Sequence, residues 1–210
     1  MNIRHLTTIS FLATALTLSA ADPATKWPSE IKVGEAIMEE TPESAHWKFD
    51  SGFGDGSGKL IKTSEGLQVT GGETNPSLAC KENFGAPLAI QFGILNLFEN
   101  HSFRITLSTT YRLEFSKEFS KVILSKEAPG EPSEPIVEQN WKQFQAAIQP
   151  SEPCIVTMAT DGSTLRIWVG NIQFYEGTLP ENLTDVSVEI SSGWNSDWTL
   201  TSFAAAELKR

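Results

Sequence analysis

The sequence has little of what most often carries chemistry. Of its 210 residues only two are Cys and three are His. Zinc sites need such residues clustered, and His46 and His101 stand far along the chain from Cys80 and Cys154, so no metal and no other cofactor is expected. Neither Gly-x-Ser-x-Gly nor His-Glu-x-x-His occurs, which leaves a serine triad or a metalloprotease without support. Sixteen Lys and Arg face 26 Asp and Glu, a net charge of −10, and no basic run offsets it. A polyphosphate or an anionic bilayer repels such a chain, so nucleic acid is not an expected partner. A sustained 3.6-residue apolar stripe is missing as well, which argues against a helical protein.

What is present points to one packed domain. Hydrophobic residues make up 40% of the chain and include six Trp and 12 Phe, enough for a sizeable core. Residues 1–21 read as a secretory signal peptide. A polar start with Arg4 and His5 leads into the run Leu6 to Leu18, and the small residues Ser19 and Ala21 set a cut before Asp22. That run is shorter than the roughly 20 residues needed to cross a bilayer, and no later segment reaches that length, so no membrane span is expected after cleavage. Residues 22–29 follow as a linker, and 30–210 form a single sandwich domain. Export, secreted or periplasmic, makes Cys80 and Cys154 a candidate disulfide that could contribute about 4 kcal/mol by loop entropy; two buried thiols are the alternative.

From Ile31 onward apolar and polar residues alternate, the period of half-buried strands. Phe103, Ile105 and Leu107 share one face, with Arg104 and Thr106 on the other; Val186, Val188 and Ile190 repeat the pattern. The expected fold is all-β, a two-sheet antiparallel jelly-roll sandwich. Asp161-Gly162 and Gly170-Asn171 supply hairpin turns. Residues 51–58, rich in Gly, read as a loop, with a minor calcium reading through Asp50 and Asp55. Pro129 to Pro135 is expected to be an exposed acidic loop, and Lys142 to Ile148 a strand.

Exported sandwiches invite a search for paired carboxylates at glycosidase spacing, roughly 5 to 10 Å. Glu114 and Glu118 come nearest, and their simplest reading is solvated charge. A second constellation follows from the Gly170-Asn171 hairpin. Counting back from it pairs Trp168 with Gln173 and Arg166 with Tyr175 on the outer face, while Ile167, Val169, Ile172 and Phe174 face the core. Flat aromatic surface beside amide and guanidinium groups suits sugars, whose C–H faces stack while their hydroxyls hydrogen-bond. The competing reading has Trp168 and Tyr175 covered by a loop. Trp194 and Trp198 flank a late loop and are candidates for an aromatic rim, or for a plug beneath the sandwich. Asn100-His101-Ser102 and Asn182-Leu183-Thr184 are glycosylation sequons.

The chain resembles the concanavalin A-like lectin/glucanase and laminin-G-like jelly rolls. The resemblance is carried by Trp47-Lys48-Phe49-Asp50 with Gly66-Leu67-Gln68-Val69, by the hairpins from Cys154 to Tyr175, and by the closing Trp198 to Phe203. It implies carbohydrate or cell-surface glycan as ligand. Laminarinase-type members carry Glu-x-Asp-x-x-Glu on one strand, a pattern missing here, and the Gly-Trp opening of 3-keto-disaccharide hydrolases is not recognisable either. The expected protein is therefore an exported, non-catalytic glycan binder using Arg166, Trp168, Gln173, Tyr175, Trp194 and Trp198. A divergent glycoside hydrolase and a protein-interaction domain without a small ligand are the alternatives.

Overall fold

The computed structural model describes residues 26–40, 42, 45–145 and 151–209. Residues 1–21, read as a signal peptide, Glu43 and the second half of the stretch from Lys142 to Ile148 lie outside the described residues. In chain order the strands are β1 (Val33–Glu40), β2 (Trp47–Asp50), β3 (Lys59–Thr63), β4 (Gly66–Thr70), β5 (Ser77–Cys80), β6 (Phe84–Gly85), β7 (Leu88–Leu95), β8 (Ser102–Leu107) and β9 (Tyr111–Ser116). They continue with β10 (Lys121–Lys126), β11 (Glu134–Asn140), β12 (Cys154–Thr160), β13 (Thr164–Val169), β14 (Ile172–Thr178), β15 (Asp185–Val186), β16 (Val188–Ser192) and β17 (Asp197–Leu208). One turn of helix, α1 (Lys142–Gln145), follows β11.

Two antiparallel sheets form the expected sandwich. One has eight strands, in the order β14-β13-β12-β7-β17-β4-β3 with β1 also on β17; the other has seven, in the order β11-β10-β9-β8-β16-β5-β2. Inward residues of both make one core. Trp47 meets Phe203 edge-on at 5.2 Å across the gap, and Phe103 meets Trp198 in the same way at 5.2 Å. Such T-shaped pairs match the positive edge of one ring to the negative face of the other.

Two sequence expectations change. The acidic loop expected over Pro129 to Pro135 ends earlier, with Glu134 and Pro135 already in β11, because Pro135 sits where β11 is the sheet edge and a bulge interrupts its pairing with β10, so the missing N–H breaks no ladder. Residues 142–145 are helical, not a strand, and bury Phe144 against Phe174.

The cysteines are not joined. Both are buried thiols: Cys80 lies on β5 of the seven-stranded sheet and Cys154 on β12 of the eight-stranded one. Burial pushes the Cys154 thiol up to about 12.

Candidate functional site

The outer face of the eight-stranded sheet carries a row of polar side chains fixed by register. Thr157 of β12 stands opposite both Gln91 of β7 and Trp168 of β13, and Trp168 stands opposite Gln173 of β14. The Gly170-Asn171 turn sets this alignment, with Val169 opposite Ile172 and a φ of 61° at Gly170. Beyond Gln173 the register slips, because a bulge places Tyr175 rather than Phe174 opposite Ile167. Phe174 is held there by Phe144 and by Gln139 Nε2, which donates to its carbonyl at 2.6 Å. Tyr175 therefore leaves the outer face and packs against the main core, away from Arg166.

Trp168 is only 2% exposed. Residues 26–31, part of them read as linker, cross over it. Trp27, Ile31 and Val33 pack with Trp168 on a floor of Ala89 and Ala159. Gln91 Nε2 donates to Lys26 O, and Arg166 Nη1 donates to Glu30 O at 3.4 Å, so part of the expected face secures this strap. A cleft of about 450 Å³ remains between strap and sheet, lined by Trp27, Pro28, Gln91, Thr157, Trp168 and Asn171 among others. Gln173 is exposed and donates to Glu176.

The two late tryptophans part company. Trp198 is fully buried beneath the sandwich, its indole N–H donating to Ser192 Oγ, so it is a core residue and not part of a rim. Trp194 is 53% exposed and lies 5.4 Å from His101. His101 in turn contacts Glu118 at 3.3 Å.

A constellation absent from the sequence reading sits on the outer face of the seven-stranded sheet. Arg104 and Glu114 are opposite residues of β8 and β9. Arg104 Nη2 donates to Glu114 Oε1 at 3.4 Å, and the Nε atoms of Arg104 and Arg112 lie 3.4 and 3.5 Å from Glu114 Oε2. Those two Nε groups are close enough to ion-pair but lack hydrogen-bonding alignment, and both are buried. Arg112 also meets Glu127 Oε2 at 3.3 Å and Ser133 Oγ. Glu114 is thus 15% exposed between two guanidiniums, not the solvated charge its sequence context suggests. The signal was available: placing Leu107 opposite Tyr111 brings Arg104 to Glu114 by counting.

Asp50 and Asp55 spend carboxylate oxygens on the backbone of their own loop, on Gly52 N and Ser57 N. No described group of three or more His, Cys, Asp or Glu is placed to hold a metal ion. No described helix is long and apolar enough to cross a membrane.

No family model matches the chain, and no curated protein matches its sequence. Solved structures match its shape. A Bacillus subtilis protein of unknown function with a galectin-like fold superposes with a TM-score of 0.64 at 11% identity, covering 86% of this chain and 99% of that one. The fold is a galectin-like, concanavalin A-type jelly roll. The same jelly roll recurs in a glycosyl hydrolase family protein from Mycobacterium fortuitum, with a TM-score of 0.58, 12% identity and coverage of 82% and 100%. It recurs again in the carbohydrate binding module CBM66 from Bacillus subtilis, with a TM-score of 0.53, 10% identity and coverage of 78% and 93%. At these identities the likeness is to the jelly roll alone.

Proposed function

We propose that this jelly roll is an exported, non-catalytic domain that binds a neutral glycan through the outer face of its seven-stranded sheet. The observation that carries the reading is the pair of guanidiniums, Arg104 and Arg112, on Glu114, with the exposed Trp194 beside His101 at the start of the same strand. With Glu127 the four groups sum to zero charge, and they present both donors and acceptors. A sugar hydroxyl can accept from guanidinium and donate to carboxylate, while indole takes the C–H face of a ring. His101, with Trp194 beside it, lies just before β8 (Ser102–Leu107), about 10 Å of chain from Arg104, a length suited to two linked sugars. The fold shared with a carbohydrate binding module and a glycosyl hydrolase family protein supports this reading; export rests on the N-terminal segment.

Binding of the full chain to a glycan array and to insoluble polysaccharides tests it. Trp194→Ala and Arg112→Ala should each weaken binding at least about tenfold, the scale of an interface anchor. Unchanged binding in both, or no binding by the wild type, discards the surface.

One observation favours a second reading, glycoside hydrolysis. Glu114 and Glu127 both contact Arg112, so a single guanidinium spans them and sets the two carboxylates within roughly 10 Å. Release of reducing ends that is lost in both Glu114→Gln and Glu127→Gln would replace binding with catalysis as the function.

A further inference from the structure

We infer that the cleft between the N-terminal strap and the eight-stranded sheet is a second binding site, on the face opposite Arg104 and Glu114, and that it takes a single hydroxyl-bearing ring of monosaccharide size. Its volume of about 450 Å³ lies in the range of small-molecule sites, roughly 300 to 1,000 Å³. The floor is the register row Gln91, Thr157, Trp168, so its two ends stand two strand spacings apart, about 10 Å. That span accommodates one six-membered ring with its substituents.

The hydrogen-bonding capacity left in the row selects the ligand. Trp168 lines the cleft, its Nε1 is buried without a partner among the described residues, and an indole nitrogen can only donate. A buried donor left without a partner is costly, so an acceptor atom arriving there is favoured. Gln91 is 6% exposed, and its Nε2 already donates to Lys26 O at 3.2 Å and to Thr157 Oγ1 at 3.0 Å. No hydrogen bond from the described residues reaches its amide oxygen, which can receive a hydrogen. The occupant must therefore accept at one end and donate at the other, which a ring bearing hydroxyl groups does with one functional group. Trp27, half-buried on the strap, offers indole surface to the ring's C–H face. Lys26 and Glu30 at the cleft are of opposite sign, so nothing there selects for a charged ligand.

An orphan indole is not by itself a site. Trp47 Nε1 also lacks a partner, but Trp47 belongs to the main core and lines none of the described cavities. Trp168 joins its orphan donor to a cleft, a buried amide and a second indole.

The test titrates the full chain with free glucose, galactose, mannose, fructose and N-acetylglucosamine into the tens of millimolar, read by tryptophan fluorescence and saturation-transfer NMR. At least one sugar should bind, and Trp168→Phe, which keeps an aromatic ring but deletes the indole N–H, should weaken it about tenfold. Trp27→Ala, at a half-exposed position, should weaken it as well, with circular dichroism showing both variants folded. Polymer binding, measured on the same samples, should survive Trp168→Phe, so failure here is separable from failure of the opposite face. No binding by the wild type, or unchanged binding in Trp168→Phe, as a structural water on the indole would give, overturns the inference.

Discussion

Trp198 donates its indole N–H to Ser192 Oγ at 2.9 Å, inside the sandwich. The same hydroxyl donates to Ser196 Oγ at 2.8 Å, so a two-serine chain satisfies the polar edge of a fully buried indole. Ser192→Ala would strand the indole N–H in a site that is 1% exposed. The expected loss is about 1 to 3 kcal/mol, the cost of an unsatisfied buried donor. Urea unfolding of the two proteins checks it, and an unchanged midpoint would mean that water replaces the hydroxyl.

Asp161 anchors the β12–β13 turn. Its Oδ1 accepts from Ser163 N at 2.9 Å and Thr164 N at 2.7 Å, and these N–H groups, Thr164's first, hold its carboxyl down at about 2 against an ordinary 3.8. A depressed folded-state value stabilises at every pH above the unfolded value, and the gain is lost as pH falls from about 4 through about 2. Wild type should therefore exceed Asp161→Asn in stability by a constant margin near neutrality, and the margin should close across that acid window. Denaturation midpoints at a series of pH values test it; a margin independent of pH removes the carboxylate from the account. The group is largely exposed, so the effect is small and shrinks with salt.

The cysteines give a sharp chemical prediction. A thiol raised to about 12 is almost wholly protonated at neutral pH, and thiolate is the reactive form. Cys154 should stay inert to a disulfide-exchange reagent in the folded protein. Unfolding in denaturant without reductant should release two titratable thiols, since no bond joins Cys80 to Cys154 in the structure. Zero thiols on unfolding would restore the bridge that export suggests.

Much of the fold was legible because alternation is a local signal. Leu88–Leu95, Tyr111–Ser116, Lys121–Lys126 and Cys154–Thr160 are strands over the bounds the pattern implies. Register was legible only as far as the turn dictated it. Trp168 opposite Gln173 follows from Gly170-Asn171, but the slip that moves Tyr175 depends on Phe144 and Gln139, which reach Phe174 from the other sheet's edge. Nothing near residue 174 in sequence announces that contact. Trp27 was hidden for a related reason: its partner Trp168 lies far along the chain, and the short segment ahead of β1 carries no periodicity of its own. Trp194 and Trp198 stand four residues apart and meet opposite fates, decided by which of them meets Phe103 and which meets His101.

β17 is the spine of the larger sheet, hydrogen-bonded to β4, β7 and β1 along its twelve residues. Until residues 197–208 leave the ribosome, β7 lacks its neighbour on one side, and β4 and β1 have no central strand to join. Completion of this sheet thus waits for residues 197–208, and its contacts are of the long-range kind that form slowly. Without residues 197–208 the larger sheet would lose its central strand, while every pairing within the seven-stranded sheet would remain.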